Sequence, residues 1–164
     1  MDMLTLALTA FLAPAPAVTE QPCALDLVGA WRLVSISSRI ADGRVDDAPF
    51  GKHPTGMFIF TADGHASVII SNDGRKRLSS DDRLAASVEE KTNAFDTSFG
   101  YSGRYRCSGD RVVLRATVAS VQNWVGTDVV RIVKAVDGRL SLSTPPFLLG
   151  GTSSIYELVW ERSK

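Results

Sequence analysis

Short runs in which apolar and polar residues alternate recur along most of the chain, separated by clusters of Gly, Asp, Asn and Pro. This is the pattern of strands joined by tight turns. Over 27–39, Leu27, Gly29, Trp31 and Leu33 stand against Arg32, Val34 and Ile36, and the run stops at the turn Ala41-Asp42-Gly43. A loop rich in turn formers, Asp46-Asp47-Ala48-Pro49-Phe50-Gly51-Lys52-His53-Pro54, leads to two β-rich runs at 56–61 and 66–71. Asp63-Gly64 between them predicts a hairpin. Beyond Asn72-Asp73-Gly74 and the basic triplet Arg75-Lys76-Arg77 the period lengthens, and Leu84, Val88, Lys91 and Phe95 share one face of a helix placed around 80–97. Ser79 or Ser80 would cap it, with Asp81 and Asp82 at its positive end. The apolar stripe is narrow, so the helix is expected against the outside of a sheet or across one mouth. Five further strands follow at 98–107, 111–119, 128–136, 139–144 and 154–162. Their connections Ser108-Gly109-Asp110 and Asp137-Gly138 are of hairpin size. Eight strands in sequence order with one helical insertion predict an all-β fold, an up-and-down antiparallel β-barrel rather than a sandwich, which needs Greek-key crossovers.

Composition narrows the function classes. The chain has 164 residues, 45% of them hydrophobic, enough for one domain with a core and too few for two ordinary ones. Eighteen basic residues balance eighteen acidic ones, so the electrostatic footprint of a nucleic-acid binder is missing. Two His and two Cys leave little for a metal site, which usually takes four such ligands, and no metal or other cofactor is expected.

At the N-terminus, Leu4 to Ala13 are uncharged and apolar, and Pro14-Ala15-Pro16-Ala17 places small residues where a signal peptidase would cut before Val18. The expected organisation is a signal peptide at 1–17, an arm at 18–26 and the barrel at 27–164, in a protein exported to the periplasm or secreted. Asp2 and the lack of Lys or Arg ahead of the run count against that reading, although a start at Met3 removes the acid. The alternatives are a disordered tail and a cytoplasmic protein. An apolar run this short does not span a bilayer, which takes about 20 residues. Thr19-Glu20-Gln21-Pro22 ahead of Cys23 is not a lipobox, which disfavours lipoprotein attachment. Export would let Cys23 and Cys107 form a disulfide that ties the arm to the sheet; otherwise they are two separate buried thiols.

Several stretches carry a family resemblance. Leu27-Val28-Gly29-Ala30-Trp31-Arg32-Leu33-Val34-Ser35, Gly56-Met57-Phe58-Ile59-Phe60-Thr61-Ala62-Asp63-Gly64-His65-Ala66-Ser67-Val68, Gly103-Arg104-Tyr105, Asn123-Trp124-Val125-Gly126-Thr127, Leu140-Ser141-Leu142-Ser143-Thr144-Pro145-Pro146 and Leu158-Val159-Trp160-Glu161-Arg162 occur in that order. Together they resemble the bacterial and fungal lipocalin-like domain family from about residue 27 to the C-terminus. The resemblance implies a small antiparallel barrel. Gly29-x-Trp31 also resembles the first-strand signature of true lipocalins, whose Trp plugs the closed end and packs on a late Arg; Arg162 or Arg131 would take that part here. The helical insertion between the third and fourth strands departs from true lipocalins, so their ligand preferences are not carried over. The family brings no single catalytic motif, and some relatives with lipocalin-like barrels act as cofactor-free cyclases or isomerases in natural-product pathways.

Period-two alternation, anchored on an inward Trp31, proposes an interior of Trp31, Leu33 and Ser35, of Tyr101, Gly103 and Tyr105, and of Tyr156, Leu158 and Trp160. Such a lumen is aliphatic and aromatic with a few hydroxyls and suits an apolar small molecule, unless the side chains simply fill it. The chemistry-bearing residues are sparse. His65 after the hairpin turn is a candidate base at the barrel mouth, or a turn histidine bonded to Asp63, and His53 is similar. Arg104, Arg106 and Arg131 would pair an anionic head group if one faces inward, which Arg131 would do if its strand buries Val129 and Val133, or Asp and Glu outside. Asn123-Trp124-Val125-Gly126-Thr127 either lines a mouth or closes it with side-chain to backbone bonds. No GxSxG elbow, phosphate loop or CxxC is present. The preferred reading is a carrier or sequestering protein for a small hydrophobic ligand. Trp31, Leu33, Tyr101, Tyr105, Trp124, Tyr156 and Trp160 would give its site shape, and Asn123, Thr127 or Arg131 would give orientation. The alternative is a cofactor-independent cyclase or isomerase acting on a polyketide- or terpenoid-like molecule, with His65 or Tyr105 moving a proton. A third is a module that binds another protein through its helix and basic triplet. Oligomeric state has no signature in the sequence.

Overall fold

A computed structural model describes residues 22–164; the expected signal peptide and cleavage site lie outside the described residues. The elements in chain order are β1 Gly29–Ile40, β2 Val45–Asp46, β3 Thr55–Phe60, β4 His65–Ser71, α1 Val88–Asp96, β5 Ser98–Ser108 and β6 Arg111–Ala119. A 3-10 turn at Gln122–Trp124 follows, then β7 Asp128–Val136, β8 Arg139–Ser143, β9 Phe147–Leu149 and β10 Thr152–Arg162. All pairings are antiparallel, in the order β1-β3-β4-β5-β6-β7-β8-β10, and β10 returns to pair with β1. The result is the expected closed eight-stranded up-and-down barrel. Two short strands were not expected. β2 hangs on the C-terminal end of β1, and β9 on the N-terminal end of β10. Neither is long enough to show a period of its own.

Alternation sets most of the interior. Trp31, Leu33, Tyr101, Leu158 and Trp160 are buried, and Gly103 lies on the same face of β5 as Tyr101. Ser35 departs from expectation and is exposed, because a bulge between Leu33 and Ser35 resets the alternation so that Ile36 and Ser38 turn inward. A second bulge leaves Thr117 of β6 without a partner, since Ser102 pairs with Val118 and Gly103 with Ala116. There the β6 backbone crosses so close to Gly103 that a Cβ atom would overlap the Arg115 carbonyl oxygen.

The two ends of the barrel differ. At the end where β1 begins, Phe58 stacks on Phe60 at 4.3 Å and meets Trp160 edge-on at 5.7 Å. Leu33, Leu114, Leu140 and Leu142 fill the remaining space. Each of these side chains contributes about 1.5–3 kcal/mol by leaving water. The end is sealed by Trp31, whose indole N–H donates to the Leu27 carbonyl at 2.8 Å. Arg162, not Arg131, lies over the ring, its guanidinium carbon 4.5 Å from the centroid. The same guanidinium donates to the carbonyls of Val28 at 2.6 Å and Asp26 at 3.2 Å. Gly29, at φ 131°, makes room for it, since a Cβ there would stand 2.7 Å from Arg162 Nη1. Below this plug, Cys23 and Cys107 form a disulfide that fastens the N-terminal arm to β5.

Within the helical insertion, the helix begins one to two turns later than the stripe suggests. Ser87, rather than Ser79 or Ser80, caps it in a reciprocal capping box with Glu90. Glu90 also accepts from the backbone and hydroxyl of Ser79. Ahead of the cap, Asp82 takes the Leu84 N–H in a turn, which competes with helix there. Leu84, Val88 and Phe95 are exposed, so α1 lies outside the barrel as expected. No helix among the described residues is long and apolar enough to cross a membrane.

Two stability outcomes follow from these contacts. In the chain-entropy picture the disulfide, spanning 84 residues, is worth up to about 4.5 kcal/mol. Reduction, or Ser at both Cys23 and Cys107, is expected to lower the urea midpoint accordingly, and an unchanged midpoint would remove the bond from the account. Gly103→Ala forces the β6 bulge apart and is expected to cost at least about 2–3 kcal/mol in the same assay.

Candidate functional site

Above the packed half, the barrel is hollow. A cavity of about 360 Å³ opens at the end where β1 finishes and β5 starts. Ile36 and Leu158 line it beside Tyr101 and Val129. An arc of aromatic side chains in contact, one after another, borders the mouth. Phe147 meets Tyr156 at 5.2 Å, Tyr156 meets Phe50 at 6.1 Å, and Phe50 meets Phe99 at 5.9 Å. Phe99 and Tyr101 both meet Trp124, at 5.8 and 5.9 Å. Most of these are edge-to-face contacts, which hold each ring in one orientation.

Local bonding places the arc. The loop bearing Trp124 is tied at both ends. Thr127 donates its hydroxyl to the Trp124 carbonyl at 2.7 Å, and Gly126 and Thr127 exchange backbone bonds with Ala116. Both readings of this stretch therefore apply: Trp124 and Thr127 line the cavity, and the loop closes on itself. Asn123 is exposed and does not line it. The loop bearing Phe50 is held by the Asp73 N–H, which donates to the Phe50 carbonyl at 2.9 Å.

Of the proposed ligand-contacting residues, Tyr101, Trp124, Thr127, Arg131 and Tyr156 come together around the cavity. Trp31, Leu33 and Trp160 belong to the packed half instead. Tyr105 points to the sealed end, where its hydroxyl donates to the Thr61 carbonyl at 3.1 Å. His65 is not at the open mouth. It sits on the β3–β4 turn at the sealed end, exposed, with Nδ1 3.2 Å from Asp63. His53 is also exposed, and its backbone N–H donates to Asp73. Phe50, Phe99 and Phe147 were missed: Phe50 lies in a loop and Phe147 in the unexpected β9, where period-two reasoning has no purchase, whereas Phe99 stands two residues before Tyr101 on the same face of β5 and was within its reach.

A family model described as a lipocalin-like domain matches residues 28–163. The chain belongs to the lipocalin-like domain family. No curated protein and no solved structure matches it at a significant level.

In this lipocalin-like domain the three arginines considered for an anionic head group diverge. Arg104 is exposed and reaches only the Asp63 carbonyl, at 3.5 Å. Arg106 points outward and binds Asp128 at 2.9 Å, which Arg115 approaches at 3.4 Å. Arg131 alone faces the lumen, since it pairs across from Val112, an inward residue of β6. Its guanidinium donates to the Tyr101 hydroxyl at 2.9 Å and to the Val130 carbonyl at 2.8 Å. Burial pushes the Tyr101 hydroxyl above its ordinary value, with Arg131 pulling the other way, so it stays protonated at neutral pH. No cluster of three metal-binding side chains occurs among the described residues.

Asp128 gives the rim a pH dependence. The hydrogen bond from Arg106, reinforced by Arg115, holds its carboxyl below the usual aspartate range. The unfolded chain therefore takes up the proton first. The contribution is complete above the ordinary value of about 3.9 and is lost as the pH falls through the lower folded-state value. Asp128→Asn is expected to lower the urea midpoint slightly at neutral pH and to remove the matching part of its fall below about pH 4, both effects small because the group is partly solvated.

Proposed function

We propose that this lipocalin-like domain binds a small apolar molecule in the open half of its barrel, as a carrier or sequestering protein. The observation that carries the reading is the cavity of about 360 Å³ bordered by an arc of aromatic side chains in contact above a packed, sealed base. That volume lies in the range of small-molecule sites and corresponds to about a dozen liquid waters. Burying roughly 200 Å² of ligand apolar surface there gives about 5 kcal/mol, equivalent to a dissociation constant of about 0.2 mM before the costs of association and any polar contacts are counted. The Cys23–Cys107 disulfide supports an oxidising compartment, periplasmic or extracellular. His65 and Tyr105, the proton carriers weighed for a cyclase or isomerase, stand at the opposite end from the cavity, so binding is the reading the geometry favours.

The uncharged fluorophore N-phenyl-1-naphthylamine is expected to brighten and saturate at one site per chain. Trp124→Ala, which removes one side of the mouth, should weaken it by about tenfold. A linear, unsaturable response to this and other uncharged apolar probes would overturn the proposal.

A further inference from the structure

Among the described residues, Arg131 is the one basic side chain lining the cavity, which Asp96 and Asp128 also border, and it forms an ion pair with neither. Asp128, on the same wall, is already shared by Arg106 and Arg115. No carboxylate among the described residues comes within ion-pair distance of Arg131, whose bonds go to the neutral Val130 carbonyl and Tyr101 hydroxyl. A half-buried guanidinium beside Val129, Leu158 and Tyr101 is costly to keep without a partner. Tyr101 adds a second donor. It is 5% exposed, its oxygen accepts from Arg131, and its own proton has no acceptor among the described residues.

We propose that Arg131 and Tyr101 form a carboxylate subsite, so that the ligand of this cavity is an apolar molecule bearing one carboxylate. The inference rests on the binding reading above and names its ligand class. One oxygen of the carboxylate takes the guanidinium N–H and the other takes the Tyr101 O–H, a pair of charge-assisted bonds in a poorly solvated setting. A single guanidinium matches a single negative charge. A phosphate or dicarboxylate would bring a second charge towards the Asp128 side of the same wall. The body of the ligand then lies among Ile36, Leu158 and the aromatic arc at the mouth, and its size is bounded by the cavity rather than by the charge.

The test is displacement of N-phenyl-1-naphthylamine by dodecanoic acid against methyl dodecanoate, and by 2-naphthoic acid against its methyl ester. Each pair shares its body and differs only in the head group, and the two pairs tell a flexible body from a flat one. The intact protein is expected to prefer the acid over the ester by about tenfold or more in at least one pair. Arg131→Gln should bring that acid-to-ester ratio close to one, Tyr101→Phe should reduce it severalfold, and Arg131→Lys should retain part of it. Because the readout is a ratio within each protein, a general loss of affinity cancels. Equal displacement by acid and ester in the intact protein, or a ratio that survives Arg131→Gln, would overturn the subsite while leaving the apolar cavity standing. Failure of the uncharged fluorophore to bind at all would instead overturn the cavity reading, and the subsite with it.

Discussion

Closure of the sheet between β1 and β10 is the constraint on which the rest depends. Up to nine residues of β1 find partners on β10, and without that pairing both strands would be open edges. Closure brings Arg162, near the C-terminus, over Trp31, near the start of the first strand. One guanidinium then stacks on the indole and ties down the carbonyls of the incoming arm. Gly29 is needed because only a residue without a side chain lets Arg162 come so close at that backbone geometry. The disulfide fastens the arm to the same end through β5.

Sealing one end with large side chains is what leaves the other end free. Trp31, Phe58, Phe60 and Trp160 occupy the lower lumen, whereas the upper inward positions of β1, β8's end and β10 include Ile36 and the buried hydroxyls of Ser38, Thr144 and Ser154. Small and polar inward residues cannot fill a barrel of this diameter. The aromatic residues at that end instead turn edge-to-face around the mouth, where they support one another rather than collapse into the space. The cavity is thus a consequence of how side-chain volume is distributed along the barrel axis, and Arg131 enters its wall because β7 keeps a strict alternation with β6.

Alternation made strand number, order and most inward faces legible. On β5 and β10 it identified Tyr101, Gly103, Leu158 and Trp160 correctly, and the resemblance of Gly29-x-Trp31 to a lipocalin first strand pointed to a stack by a late Arg, left between Arg162 and Arg131, that Arg162 makes. It failed at Ser35, since a bulge inserts one residue without altering local composition. It placed the helix start too early because Asp82 and Ser79 satisfy the turn and Glu90 before the helix begins. Of the two places offered for His65, a base at the mouth or a turn histidine bonded to Asp63, the second holds, since which hairpins share an end of the barrel depends on which strand is first and how the sheet closes.

The sequence by itself determined a neutral, all-β chain, its eight long strands, its hairpins and the pairs of residues that share a face, because these are local matters of period and turn chemistry. Only the tertiary structure decided which inward residues pack and which line a cavity, since that depends on volume summed across all eight strands. It also decided that Phe50, Phe99, Trp124, Phe147 and Tyr156, drawn from loops and strand ends far apart in the chain, meet around one mouth. And it decided that Arg131, one of three arginines the sequence offered for a head group and inward by alternation with Val129 and Val133, has no carboxylate of the described residues within ion-pair distance, because every competing acid had first to be placed in space.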